Sequence, residues 1–298
     1  MSEDVDPAVA APPVRRSPAH RGRLLATGLL GACHPGPTLA VTVLGTLLAV
    51  ASGAAPRTVL QLALVLLVGQ LSIGWSNDWV DAARDAAVDR PDKPVARGLV
   101  DRRTVGRAAL LAGLLTLPLS FSLGPRAGTA HLVAVGAGWV YNVGVKATIW
   151  SWAPYAVCFG LLPAVVTLSL PGSPAAAAWA MTAGALLGVG AHLANVLPDL
   201  EDDRRTGVRG LPHRLSRTGS TVLACVVLLL ASAVVVLAPP GSPGPLGWAA
   251  LVVATVLALT GTLVSLRSAG SRLPFLLTIA VAMVDVVLLL SSGASLLA

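Results

Sequence analysis

The chemistry of this sequence is carried by oxygen side chains repeated at four-residue spacing. Asn77, Asp81, Asp85 and Asp89 recur in SNDWVDAARDAAVDR, and Asn195, Asp199 and Asp203 recur in ANVLPDLEDDRRTG. Residues four apart share one face of a helix. Each set therefore becomes a stripe of oxygen ligands, placed where a long apolar segment ends. Such donors suit a hard cation, and Mg²⁺ usually binds through a few carboxylates plus substrate phosphates. Carboxylates alone repel an anionic substrate, whereas Mg²⁺ held between them lets both stripes grip a diphosphate. The spacing leaves open whether Asp78, Asp89 and Asp202 join the metal ligands.

Cations that complete the neutralisation flank both stripes. Arg84, Arg90, Lys93 and Arg97 follow the first; Arg204, Arg205, Arg209, His213 and Arg214 follow the second. Only two of the 21 basic residues are lysines, Lys93 and Lys146, and both fall in loops facing the stripes. A compact ammonium suits a point contact to phosphate.

The elements that must position these residues are membrane spans. Of 298 residues, 55% are hydrophobic and 12% charged, with a mean hydropathy of +0.77. Apolar stretches near the bilayer-crossing length recur along the chain, which predicts an all-α polytopic membrane protein. Nine transmembrane helices are expected, at about 25–51, 58–81, 105–123, 129–145, 149–170, 175–197, 220–238, 246–266 and 273–296. Residues 24–298 then form one nine-helix domain around a central cavity, and residues 1–23, polar and rich in Pro and Ala, form a disordered cytoplasmic tail. The breakers SGAAP, SLGPRAG, LPGSPA and APPGSPGPLG all fall on one side of the membrane. That side holds only Arg57 and Arg126, and the other 19 of the 21 basic residues lie opposite. The positive-inside rule puts the basic side, with both stripes, in the cytoplasm, in an integral protein of the plasma membrane. The same distribution argues against nucleic acid as a partner. Cys33, Cys158 and Cys225 lie in apolar segments without ligand spacing and read as small buried hydrophobes.

NDWVDAARDAAVDRPDKPVARG resembles the first motif of the UbiA-type membrane prenyltransferases, NDxxDxxxD followed by Arg and a basic-Pro-x-x-x-Gly. NVLPDLEDDRRTGVRGLP resembles their second motif, and YNVGVK, Tyr141 to Lys146, resembles their Tyr-to-Lys segment. The resemblance covers nearly the whole chain. It implies a helical bundle whose cavity opens to the cytoplasm and to lipid, and Mg²⁺-dependent transfer of a prenyl group from an isoprenyl diphosphate to a lipophilic or aromatic acceptor. By the same resemblance, Asp81, Asp85, Asp199 and Asp203 are the catalytic carboxylates. The metal set is Asn77, Asp81, Asp85, Asn195, Asp199 and Asp203, and Asn77, Arg90, Lys93, Lys146 and Asn195 bind substrate. The chain departs from the family in two places: His34-Pro35 stands where many members have Arg-Pro, and Glu201-Asp202 adds acids inside the second DxxxD.

A carbocation formed by ionising an allylic diphosphate needs a dry, electron-rich wall. Trp75, Trp79, Trp150, Trp152, Tyr155 and Phe159 are placed to supply it, with interfacial anchoring as the alternative for Trp150 and Trp152. Asp285, in VAMVDVVLLL, lies too deep to reach the metals, and a lipid-facing carboxylate there costs roughly 2.5–3.5 kcal/mol. It is expected either to face the apolar cavity and touch substrate, or to hydrogen-bond a neighbouring helix. A membrane terpene cyclase would use the same ionisation and stays open. A transporter would hold its site near the midplane, and a CDP-alcohol phosphotransferase would carry DG where this chain reads DAARD. Oligomeric state is not legible.

Overall fold

The computed structural model of the chain describes residues 18–87, 93–268 and 271–297, with the side chains of 18–21, 202, 293 and 294 excluded. Among the described residues twelve α-helices follow one another: α1 (Pro18–Ala32), α2 (Pro35–Ala51), α3 (Pro56–Ala87), α4 (Arg102–Phe121), α5 (Pro125–Val143), α6 (Ala153–Leu168), α7 (Ala178–Val196), α8 (Leu200–Arg205), α9 (Leu211–Arg214), α10 (Arg217–Leu237), α11 (Pro245–Arg267) and α12 (Leu273–Ser291). Short 3₁₀ turns occupy Val145–Ala147 and Gly293–Leu296. No strand occurs among the described residues beyond one isolated bridge between Ala176 and Leu297. The all-helical expectation holds.

Helix starts follow the local chemistry. Proline stands at the first or second position of α2, α5, α6, α11 and α12, where its missing N–H costs nothing. Asp101 caps α4 by accepting from the Thr104 N–H at 2.9 Å, and Ser216 caps α10 by accepting from the Gly219 N–H at 2.9 Å.

By length and composition, α3, α4, α10, α11 and α12 can each cross a membrane, and α1 with α2 makes a sixth crossing if that bent pair is one span. The expected count of nine is not reached by this test among the described residues: α6 is a shorter apolar helix, and α5 and α7 are not among the five. Both of those helices carry polar side chains such as His131, Asn142 and Asn195. The outward faces of α4, α11 and α12 are apolar and exposed, with Leu111, Leu114, Val252, Val256, Leu276 and Val287 all at least half accessible. Exposed apolar surface of this extent fits lipid contact, and the chain is an integral membrane protein.

Three boundaries depart most from the sequence reading. The predicted span 25–51 is bent by 65° between α1 and α2. Pro35 disfavours helical geometry at the residue before it, and His34 adopts the left-handed region at φ 54°. Helix α3 runs on to Ala87 rather than stopping near 81, because its last turns exchange lipid for buried ion pairs. Helix α1 begins at Pro18, and residues 1–17 of the expected tail lie outside the described residues.

Helices α2, α3, α5, α6 and α7 surround a central cavity. Helix α4 packs outside α3 and α5, and α11 packs outside α10 and α12. Glycines allow the inner helices to approach closely. A Cβ on Gly188 would sit 2.3 Å from the Tyr155 carbonyl oxygen, and one on Gly184 would sit 2.5 Å from that of Phe159, so α7 lies directly on the α6 backbone. A Cβ on Gly74 would stand 2.1 Å from the Cys33 oxygen, so α3 packs on the bend between α1 and α2.

Gly74→Ala must push that bend outward. The expected cost is about 1–3 kcal/mol, as for other overpacked sites, read as a lower thermal midpoint in detergent; an unchanged midpoint would show that the bend gives way freely. Asp101 supplies a pH-dependent test. The Thr104 hydroxyl and amide hold its carboxylate below the usual range. Its cap therefore contributes above the ordinary carboxylate pKa and is lost as pH falls through the depressed value. Asp101→Ala should lower the midpoint at neutral pH, with the difference from the parent protein shrinking in acid.

Candidate active site

Both acidic stripes open on one cavity of about 570 Å³. Helix α3 contributes Asn77, Asp81 and Asp85; α7 contributes Asn195; the turn after it contributes Asp199; and α8 contributes Asp203. Lys93 enters from the loop after α3, and Lys146 from the 3₁₀ turn after α5. Asn77, Asp81 and Asp85 of the first stripe lie on one continuous helix, as their spacing predicts. The second does not: α7 ends at Val196 and α8 starts at Leu200, because Pro198 interrupts the helix. The three residues still reach the same cavity.

The first stripe is already cross-linked. Lys146 Nζ donates to Asp81 Oδ1 and Oδ2 at 2.5 and 2.6 Å, and Arg84 Nη2 donates to Asp81 Oδ2 at 2.6 Å. Lys93 Nζ donates to Asp78 Oδ1 at 2.7 Å and stands 4.0 Å from Asp85 Oδ2. His34 Nε2 meets the same Asp78 oxygen at 2.9 Å. Burial pushes the Lys146 ammonium below its ordinary pKa, and the Asp81 carboxylate opposes that shift.

Amides extend this network. Asn77 Nδ2 donates to Asn142 Oδ1 at 3.0 Å, and Asn142 Nδ2 donates to the Ile73 carbonyl at 2.9 Å and to Ser76 Oγ at 2.8 Å. At the second stripe, His213 Nε2 meets Asp203 Oδ2 at 3.2 Å, and Asn195 Nδ2 stands 3.4 Å from the Tyr155 hydroxyl. The Leu211 N–H donates to Ser151 Oγ at 2.9 Å, which ties the second motif's loop to the start of α6.

Two of the six aromatic residues expected at the wall are there. Tyr155 and Phe159 line the cavity with their rings stacked at 6.4 Å, and Tyr141 packs edge-on to Tyr155 at 5.3 Å. None of the tryptophans reaches it. Trp75 donates to the Leu29 carbonyl at 2.9 Å, Trp79 packs against Gly106, and Trp150 is 62% exposed beside Trp152. Tyr141 was visible in the sequence only as the start of YNVGVK. The partnership of His34 with Asp78 had no sequence signal, since the two are 44 residues apart.

Three expectations need correction or fall outside the structure. Asp285 is fully buried but does not line the cavity; it accepts from the Ser232 hydroxyl of α10, so the helix-to-helix alternative describes it and substrate contact does not. Arg204, Arg209 and Arg214 also stand off the cavity. Arg90 and Asp89 lie outside the described residues.

The donor set can be tested against Mg²⁺. No group of three His, Cys, Asp or Glu side chains among the described residues is close enough to form an all-protein metal site. Asn and Asp oxygens from two walls nevertheless open on one cavity beside two lysines. That arrangement fits a hard ion that takes one or two carboxylates per site and completes its shell with phosphate oxygens and water.

The profile of the UbiA prenyltransferase family matches residues 38–291. The chain belongs to that family. It is 34% identical over 183 residues to the bacteriochlorophyll synthase 33 kDa chain of Cereibacter sphaeroides, covering 58% of this chain and 60% of that one. It is 25% identical over 193 residues to digeranylgeranylglyceryl phosphate synthase of Pyrococcus horikoshii, covering 62% and 67%. The alignment thus spans less than two thirds of the first relative's length. A solved UbiA homolog from Archaeoglobus fulgidus bound to GPP and Mg²⁺ superposes with a TM-score of 0.68, over 90% of this chain and 99% of that one. At 16% identity this likeness speaks to the UbiA fold.

Asp78 holds Lys93 at the cavity wall while only 1% exposed. Asp78→Ala strands a buried ammonium, at an expected cost of about 3–5 kcal/mol. Thermal unfolding in detergent should show a large loss for Asp78→Ala and a smaller one for Asp78→Asn, which keeps an acceptor. Equal midpoints for Asp78→Ala and the parent would rule out this anchoring.

Proposed function

We propose that this chain is an intramembrane prenyltransferase that moves a prenyl group from an isoprenyl diphosphate to a lipophilic or aromatic acceptor. The observation that carries this reading is the shape of the cavity on which both stripes open. Its lining on α3 runs from Asp85 to Leu66, about 28 Å at 1.5 Å per residue. One end gathers carboxylates, amides and lysines; the other is walled by Leu66, Val135, Leu162 and Val165. A diphosphate with a hydrocarbon tail has the same polarity.

In this reading Lys146, Lys93 and Arg84 hold the diphosphate oxygens, and Asn77, Asp81, Asp85, Asn195, Asp199 and Asp203 hold Mg²⁺. When bound, Mg²⁺ would stabilise negative charge developing on the leaving diphosphate. The allylic C–O bond breaks with its electron pair going to the diphosphate. Tyr141, Tyr155 and Phe159 present ring faces to the carbocation, and the apolar half of the cavity keeps water from quenching it. The acceptor's nucleophile bonds to the allylic carbon and releases a proton. Lys93 and Lys146, paired with Asp78 and Asp81, would turn from carboxylate to phosphate oxygens as the substrate binds.

Counting α1 with α2 as one span, and α5, α6 and α7 as spans, brings the bundle to nine. The distribution of Lys and Arg then supports a cytoplasmic motif face, in the plasma membrane, with residues 24–298 as the membrane domain.

The test offers purified protein a series of isoprenyl diphosphates with Mg²⁺, with and without membrane extract, and identifies lipid products by mass. Product formed without extract would indicate internal cyclisation instead of transfer. Asp81→Ala and Asp199→Ala should each abolish most turnover, as should chelation of the metal. The double variant should be little worse than either single one, because groups acting on one metal–diphosphate unit are non-additive. Lys146→Arg should keep part of the activity and Lys146→Met almost none. Full turnover in folded Asp199→Ala would refute a site shared by the two stripes.

A further inference from the structure

The arginines that stand off the main cavity converge elsewhere. Arg204, Arg209 and Arg214, together with His213, line a recess behind the second acidic stripe. Among the described residues, no carboxylate lines it. Among the described residues, none of the three arginines has an ion-pair partner; in the same run, Arg205 stands 3.7 Å from Glu201.

Exposed arginines with no partner usually sample many rotamers, and positive charge on this face needs no special explanation. Two of these guanidinium groups are nevertheless fixed by the backbone. Arg204 Nη2 donates to the carbonyls of His213 and Leu215, each at 3.1 Å, and Arg214 Nε donates to the Arg209 carbonyl at 3.1 Å. Each clamp occupies one nitrogen. The other N–H donors of both groups, and all those of Arg209, have no partner among the described residues. Three like charges lining one concavity, two of them held, repel one another, and an anion between them relieves that repulsion. The guanidinium fork matches the paired oxygens of phosphate. The recess also sits where α7 gives way to α8 and α10 begins, at the end of the bundle that the proposed orientation puts at the headgroups, and basic pockets at that level bind anionic headgroups.

We propose that this recess is a second oxyanion site, separate from the diphosphate end of the cavity, and that it takes a phosphate group at the membrane surface. An anionic phospholipid and a free phosphate share that chemistry. Occupancy has a consequence for the main site. His213 lines both spaces, and its Nε2 meets Asp203 at 3.2 Å. An anion drawing Arg204 and Arg214 together fixes the α8–α9 segment, and through His213 it fixes the Asp203 carboxylate of the second stripe.

The experiment uses the full chain in lipid nanodiscs and measures binding, so its outcome does not depend on prenyl transfer. Native mass spectrometry counts phosphatidylglycerol retained from equimolar mixtures with phosphatidylcholine. Thermal unfolding in phosphatidylcholine alone is followed against added inorganic phosphate. The parent protein should prefer phosphatidylglycerol, gain stability with phosphate, or do both. Retention of the lipid without a response to phosphate identifies a headgroup site; a response to phosphate shows that the free anion suffices. Arg209→Gln/Arg214→Gln should weaken binding at least tenfold, while Lys146→Met, a lesion of the main cavity, should leave it within twofold of the parent. Arg209→Lys, which keeps the charge and loses the fork, serves if the double variant does not fold, and should weaken binding severalfold. The proposal is overturned if neither probe binds the parent, if the arginine variants bind as the parent does, or if Lys146→Met loses binding equally, which would put the anion in the main cavity.

Discussion

The buried ion pairs of α3 organise this molecule. A carboxylate taken out of water costs several kcal/mol unless paired and hydrogen-bonded, and α3 buries three of them, Asp78, Asp81 and Asp85. Arg84 on α3 itself pairs with Asp81, and the other partners come from outside the helix: Lys146 from the turn after α5, Lys93 from the loop after α3, His34 from the bend between α1 and α2. Each of the latter pairs therefore fixes a backbone segment around the mouth of the cavity as well as a charge. These pairs hold the polar end of the cavity compact.

The apolar frame allows that concentration of charge. Outward faces of α4, α11 and α12 present Leu and Val, so charge can be buried only inward or at the helix ends. Close contacts at Gly74, Gly184 and Gly188 bring backbones together where side chains would otherwise hold them apart. Through Gly184 and Gly188, α7 seats directly on α6, which carries Tyr155 and Phe159 to the cavity wall. Packing by small residues and placement of the aromatic wall are thus one feature of the bundle.

The two acidic stripes are not equivalent. The first is a rigid helical face tied down by cations. The second follows a helix break at Pro198 and is carried by the six-residue helix α8, with His213 and the Ser151–Leu211 hydrogen bond as its supports. A segment with so few local contacts depends on its neighbours for position, which gives the arginine recess beside it a mechanical role.

The sequence by itself determined the all-helical type of fold, the family and the two stripes of oxygen side chains. Hydropathy forces helices because lipid offers backbone groups no other partner, and four-residue spacing puts Asn77, Asp81 and Asp85 on one face whatever the tertiary structure. Lys93 and Lys146 were legible because lysine is scarce in this chain. Long-range pairing was not legible. Which wall each tryptophan would meet, that Asp285 would turn to Ser232, and that Arg204, Arg209 and Arg214 would leave the cavity all depend on how helices rotate against one another. Local spacing carries no information about that rotation. The bend at His34 had a local cause in Pro35, yet the partners of His34, Asp78 and Lys93, come from 44 and 59 residues away, and only the packed bundle brings them together.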